Sequence, residues 1–261
     1  MFFFSTEVTS SNISSDNPLF QRTKKAYELI ADKVFGNVLE IGSGEGYGIE
    51  IILQKNDSIN FTAIDKSNYP IKKLSKKFPN ITVLKQKAPS LSKIPSHSQD
   101  FIIAFQVIEH IKNDSAFLNE IKRILKPNGT LFLTTPNKEH TIARNPWHYR
   151  EYEFMELENL IRTFFNSYKI HGISANQNAL NYYTENKKSV EKILQWDILK
   201  LEKIAPNFLL KIPYELLNRY NRKKIHKQNQ KLVNQISSDD YFVNENKESY
   251  KDFLDFFCII N

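Results

Sequence analysis

The chain has 261 residues, of which 41% are hydrophobic and 25% charged, proportions that exclude a disordered, collagenous or disulfide-scaffold class and leave a folded globular protein. The single cysteine, Cys258, rules out an internal disulfide, and no run reaches the roughly eighteen uncharged apolar residues that a spanning helix needs. The net charge of +7 has one address: residues 180–235 hold twelve Lys or Arg against five Asp or Glu, so the remainder is neutral in sum. Met1-Phe2-Phe3-Phe4-Ser5 lacks the basic start and long apolar run of a secretory signal, so the cytoplasm is the expected location.

Residues 1–35 are expected to be helical, with an aromatic stripe of Phe2, Phe3, Phe4, Phe20 and Tyr27 that packs over a cleft. Strand-like runs then alternate with helix-like ones, the pattern of βαβ units in a parallel sheet. The predicted strands are Asn37–Ile41, Asn60–Asp65, Ile81–Leu84, Asp100–Val107 and Gly129–Thr135. Phe117, Leu118, Ile121, Ile124 and Leu125 mark a helix that stops at Lys126-Pro127-Asn128-Gly129. A further helix over 151–165 precedes a sixth strand over 167–174. Residues 180–235 repeat apolar residues at helical spacing, with Pro206 and Pro213 dividing the stretch, and the apolar run 250–260 predicts a last strand. The expected organisation is a helical segment (1–35), an α/β core (36–179), a basic helical insertion (180–235) and a return to the sheet (236–261).

The most specific chemistry sits at Glu40-Ile41-Gly42-Ser43-Gly44-Glu45-Gly46-Tyr47-Gly48, where a strand runs into a glycine-rich turn and then a helix. Such a turn lets a ligand approach the backbone. Asp65, at the end of the second strand, can accept hydrogen bonds from both hydroxyls of a ribose, so the ligand is a nucleoside. The G-x-G-x-x-G spacing of a dinucleotide site fails, because the sixth position is Tyr47 counted from Gly42 and Ile49 counted from Gly44. Glu40 would also repel a pyrophosphate but favour an ammonium and a sulfonium, the two cations of S-adenosylmethionine.

With these residues, the segment 40–46 resembles the first motif of class I S-adenosylmethionine-dependent methyltransferases, and Asp65 resembles the acid of their second motif. Residues 100–111 and 118–131 are similar to the family's fourth strand and to the helix and turn that follow it. The resemblance covers about residues 36–137, with one departure: Gln86-Lys87-Ala88 stands where relatives carry an acid that reads adenine. It implies a Rossmann-like, mostly parallel seven-stranded sheet with helices on both faces, the seventh strand antiparallel and formed by the C-terminus. It also implies that Glu40, Gly42, Gly44 and Gly46 frame the methionine part of S-adenosylmethionine, Asp65 the ribose, Ala88 the adenine and Gln106 the methionine amino end, with Ser43 and Lys66 also among the cofactor-binding residues.

Methyl transfer from a sulfonium requires alignment, desolvation and removal of the acceptor proton. His110 and His148 are the candidate bases, both expected at the carboxyl edge of the sheet where ligands of open α/β folds bind. No metal is expected, because Glu109, His110 and Asp114 show no ligand spacing. Residues 145–152, Asn-Pro-Trp-His-Tyr-Arg-Glu-Tyr, resemble a segment of methyltransferases that modify sugars and surface polysaccharides, which implies a small-molecule or glycan-precursor hydroxyl or amine as acceptor. In the basic insertion, Tyr182, Tyr183, Trp196 and Tyr214 are expected to line an apolar wall. Arg219, Arg222, Lys223 and Lys224 would attract an acceptor phosphate, a carboxylate or a membrane headgroup, whereas nucleic acid is not an expected partner. The alternatives are a nicotinamide-dependent oxidoreductase, which the loop spacing disfavours, and a non-catalytic module that binds anions or membrane surfaces beside a vestigial cofactor site.

Overall fold

A computed structural model describes residues 9, 10 and 12–261, so Phe2, Phe3 and Phe4 lie outside the described residues. The elements in chain order are α1 (Asn17–Ile30), β1 (Asn37–Ile41), α2 (Tyr47–Leu53), β2 (Asn60–Asp65), α3 (Asn68–Lys77), β3 (Thr82–Lys85) and β4 (Gln99–Phe105). They continue with α4 (Asp114–Ile124), β5 (Leu125–Pro136), α5 (Phe154–Phe164) and β6 (Tyr168–Ala175). Four helices follow, α6 (Gln177–Leu194), α7 (Leu201–Ile204), α8 (Asn207–Gln228) and α9 (Gln230–Gln235), before β7 (Tyr241–Asn244) and β8 (Asp255–Ile260) close the chain.

The strands form one sheet of order β3-β2-β1-β4-β5-β8-β6-β7. Pairs among β1 to β5 are parallel, while β8 runs antiparallel between β5 and β6. Its neighbours β5 and β6 therefore share one direction, as expected of a sixth parallel strand beside an antiparallel C-terminal one. The eighth strand is the addition: Tyr241–Asn244 pairs antiparallel with the outer side of β6.

Both faces of the sheet are covered, which explains why the inner strands read as continuous apolar runs. Leu39, Ile102, Ala104, Leu131 and Leu133 pack with α4 and α5 residues such as Phe117, Ile121, Leu157 and Ile161. Their alternating neighbours Val38, Ile103, Phe105 and Phe132 pack on the other face with Tyr27, Ile30, Ile49, Ile52, Leu74 and Ile225. The C-terminal strand lies inside the sheet, and Phe253, Phe256, Phe257 and Cys258 are all buried.

Several boundaries differ from expectation; β5 begins at Leu125 and not at Gly129, running through the turn expected at 126–129. The fourth strand stops at Phe105, because Gln106 turns into the left-handed region at φ +56°. Residues 247–252 form a 3-10 helix, so the last strand begins at Asp255 and not at 250. Pro213 lies inside α8 and does not divide it, whereas Pro206 directly precedes that helix.

Candidate active site

The order β3-β2-β1-β4-β5 places the carboxyl ends of these parallel strands along one edge. At the end of β1, Gly42, Gly44 and Gly46 have φ of +77°, +49° and +78°. The demand for glycine is doubled at Gly46, where a Cβ would also come within 2.3 Å of Leu74. The amides of Gly42 and Ser43 both donate to the carbonyl of Ile64, which ties the loop to the end of β2. There Asp65 accepts from Gly44 N at 3.3 Å and from Ser67 N at 2.8 Å, so its carboxylate faces the loop. Ser43 is buried and its hydroxyl donates to the Glu40 carbonyl.

Glu40 is fully buried, and its Oε1 accepts from the Tyr27 hydroxyl at 2.5 Å. Its Oε2 has no hydrogen-bond partner among the described residues. Burial raises this carboxyl to about 7, against the Tyr27 hydrogen bond and with help from Asp65. An orphaned buried carboxylate oxygen beside a glycine loop fits a cationic ligand, since a buried anion without a partner is costly. Tyr27 reaches this place because Gly48 has no side chain: a Cβ there would lie 2.1 Å from the Tyr27 ring. Of the aromatic stripe, Tyr27 is bonded to Glu40 and Phe20 is packed edge-on against Tyr47.

Gln106 is held in its left-handed conformation by two bonds to Thr134, one from its backbone N to the carbonyl and one from Nε2 to Oγ1. Beside it, Asp255 at the start of β8 is buried and paired with Arg22 of α1 at 2.9 Å. Burial raises the Asp255 carboxyl, against Arg22 and the Gln106 amide. After β3, Lys87 is exposed and Ala88 half-buried. Lys66 is likewise exposed.

The two candidate histidines come together. Their rings lie 4.7 Å apart, edge to face at 81°. His110 occupies a 3-10 turn after β4, while His148 sits in the loop between β5 and α5. Three ties bring that loop over the end of β4: Tyr149 N donates to the Glu109 carbonyl, His110 Nδ1 lies 3.1 Å from the Trp147 carbonyl, and Asp114 accepts from Arg150 and Tyr152.

His148 Nδ1 is 2.5 Å from Glu151 Oε1, and Nε2 is 2.9 Å from the Asn145 side-chain amide nitrogen. The Asn145 oxygen accepts from Trp147 N, which turns its amide nitrogen toward His148. This arrangement assigns the proton to Nδ1 and the lone pair to Nε2. Burial opposes ionisation of Glu151, yet the His148 and Thr141 hydrogen bonds hold its carboxyl below the usual carboxylate range.

Glu109, between the histidine pair and the strand, is buried and accepts from Thr135 Oγ1 at 2.9 Å. Burial pushes its carboxyl to about 7, against His148 and Thr135. Glu109, His110 and His148 offer ligand atoms within 4.8 Å of one another and form a metal-capable grouping that sequence spacing does not reveal, because His148 arrives from another loop. Asp114 is not part of it, being committed to Arg150 and Tyr152. Sequence reading also missed Asn145 and Glu151 as partners of His148, although each lies three residues from it.

The insertion departs from expectation more strongly. Tyr182 is buried in the sheet-facing core and Trp196 is 86% exposed, so the four aromatic residues do not form one wall. Arg219 and Arg222 both pair with the buried carboxylate of Asp16, at 2.8 and 3.1 Å, and serve to fasten α8 to the start of α1.

A glycine-rich loop, the Asp65 carboxylate facing it and the unpartnered Oε2 of Glu40 stand together at one edge of this α/β sheet. Residues 17–187 match the family model described as a methyltransferase domain, and the chain belongs to that family, within the class I S-adenosylmethionine-dependent methyltransferases. It is similar to a "probable S-adenosylmethionine-dependent methyltransferase" of Mycobacterium tuberculosis, 30% identical over 161 residues, which are 59% of this chain and 58% of the relative. A Mycolicibacterium smegmatis protein of the same description is 29% identical over 163 residues, 60% of this chain and 62% of the relative. The match therefore spans about three fifths of these relatives. Among solved structures, an Archaeoglobus fulgidus SAM-dependent methyltransferase superposes with a TM-score of 0.54 at 17% identity, covering 93% of both chains. Phosphoethanolamine N-methyltransferase 2 of Haemonchus contortus, solved with S-adenosylmethionine, gives 0.54 at 16% identity over 91% of this chain and 52% of its own. At these identities the likeness is one of fold.

Proposed function

We propose that the protein methylates a hydroxyl or amine of a small-molecule or glycan-precursor acceptor bound beside His110 and His148, with His148 as general base. The observation that carries this reading is the Glu151–His148–Asn145 chain. A carboxylate on Nδ1 raises the basicity of Nε2 and stabilises the imidazolium that forms once Nε2 takes a proton. The acceptor group replaces the Asn145 amide at Nε2 and delivers its proton there. His110, held by the Trp147 carbonyl, walls the same space and orients the acceptor.

On this reading Glu40 holds the ligand's ammonium, Asp65 its ribose hydroxyls and the Ala88 backbone its adenine, while Gln106 lies at the methionine end and Ser43 and Lys66 flank the loop. S-adenosylmethionine supplies an electrophilic methyl group on a sulfonium. The protein contributes alignment of the acceptor, a water-poor floor of Glu109, Thr134 and Thr135, and the sink for one proton. The nicotinamide alternative is set aside by the family assignment.

The test is a screen of hydroxyl and amine acceptors for release of S-adenosylhomocysteine, followed by His148→Gln on the best acceptor. A fall in kcat of about 10²–10⁴-fold is expected, with S-adenosylhomocysteine affinity retained. An unchanged kcat would remove His148 from the reaction.

A further inference from the structure

Helix α8 is built inside out. Its buried positions near the C-terminal end are Asn221, Arg222 and Ile225, two of them polar, and they face the body of the protein. Leu209, Ile212, Leu216 and Tyr220 follow one another at spacings of three and four residues, which places them on one stripe of the opposite side. All four are exposed, Ile212 by 73%. Among the described residues, eleven of the sixteen exposed large hydrophobics fall between Trp196 and Tyr220. A contiguous exposed apolar surface of this kind marks a site of interaction.

Charge identifies the occupant. Lys200 and Lys203 are exposed and interleaved with Trp196, Ile198, Leu199 and Ile204. Across residues 180–235, Lys187, Lys188, Lys192 and Lys223 are exposed as well, whereas Glu191 is the one exposed acid. Apolar side chains rimmed by lysines suit an anionic bilayer, where the apolar groups enter the headgroup boundary and the lysines meet lipid phosphates. No described helix is long and apolar enough to cross a membrane, so the segment would lie on the surface.

The patch is also coupled to the loop that carries His148. Trp147 Nε1 donates to Glu215 Oε1 at 2.8 Å, Lys211 Nζ stands 4.0 Å over the Trp147 ring, and Arg144 N donates to Glu202 Oε1 at 2.8 Å. We infer that the outer face of α7 and α8, with the preceding residues 196–200, docks on an anionic membrane surface and brings the 144–152 loop to an acceptor that lies in that surface. The part concerning the acceptor rests on the function proposed above; the docking does not.

The experiment is co-sedimentation of the full chain with vesicles of phosphatidylcholine alone and of phosphatidylcholine mixed with phosphatidylglycerol, with a titration of S-adenosylhomocysteine in parallel. Binding to the mixed vesicles is expected, weakened at least about tenfold without the anionic lipid and weakened again by salt. Ile212→Glu with Leu216→Glu should abolish binding at unchanged Tm and unchanged S-adenosylhomocysteine affinity, since both side chains already face solvent. Lys200→Gln with Lys203→Gln should bring the mixed vesicles toward the phosphatidylcholine value. The inference is overturned if the wild type ignores both vesicles or if the Glu variant binds as the wild type does. It is also overturned if light scattering finds a dimer that the Glu variant dissolves while vesicles are ignored. Loss of S-adenosylhomocysteine binding by the wild type would instead count against the function proposed above and leave the docking result to stand alone.

Discussion

On the proposed reading, most of the cofactor half of the site comes from one βαβ unit, residues 40–65, whereas the acceptor half joins Glu109 and His110 after β4 to Asn145, His148 and Glu151 in a loop after β5. In the first half, backbone geometry does most of the work: positive φ at three glycines, amides bound to Ile64, and one carboxylate from each of two neighbouring strands. In the second, side chains from segments far apart in sequence meet only because three hydrogen-bonded ties clamp the loop down. A backbone cradle depends on residue type at consecutive positions, while a side-chain cluster depends on the whole fold between its parts. Damage to one half should therefore leave the other measurable.

The largest expected effect falls on the cofactor half. Asp65→Ala removes two charge-assisted hydrogen bonds, each about 1.5–3 kcal/mol, and isothermal titration should show S-adenosylhomocysteine binding weakened by about 10²-fold or more. Unchanged affinity would mean that the ribose lies elsewhere. On the acceptor side, Glu151→Gln keeps the shape but loses the charge that supports His148. The expected outcome is a fall in kcat of at least about tenfold and an altered pH–rate profile, with cofactor affinity untouched. A parallel loss of cofactor affinity would show that the halves are not separable.

Tyr27→Phe tests a side chain that links α1 to the glycine loop. It strips Glu40 of its donor and leaves a buried carboxylate unsatisfied, at a cost of about 1–3 kcal/mol. Differential scanning fluorimetry should record a Tm lower by a few degrees in the ligand-free protein, with a smaller deficit once S-adenosylhomocysteine brings its ammonium.

The smallest effect is on pH dependence, and it touches both halves. The Glu40 and Glu109 carboxyls stand at about 7 in the folded chain, against about 4.3 when unfolded. Between these values the folded state binds more protons than the unfolded one, so stability falls as pH rises from about 4.5 to 7. Glu40→Gln and Glu109→Gln should each flatten part of that slope in Tm. Saturating S-adenosylhomocysteine should remove the Glu40 part alone, because its ammonium favours the ionised carboxylate. A slope unaffected by ligand would argue against an ammonium at Glu40.

A similar contrast separates the sheet from the insertion. The inner strands β1, β2, β4 and β5 announced themselves because both faces are covered and their apolar runs are continuous, whereas β7, four residues at the edge, was not foreseen. The amino-acid pattern showed residues 180–235 to be helical and basic, but periodicity tells that a stripe exists and not which way it points. Arg219 and Arg222 looked like free cations until Asp16, some two hundred residues earlier, was found between them.

From sequence alone came the α/β class, the glycine loop, Asp65 and the acid Glu40 at the strand end, because each depends on neighbours within a strand, a turn or a single βαβ unit. The tertiary structure alone decided that the rings of His110 and His148 come into contact, that Glu151 and Asn145 flank His148, and that α8 turns its apolar stripe outward. Those facts depend on contacts between distant segments and on the direction in which a helix faces, and a residue order encodes them only through the energy of the complete fold.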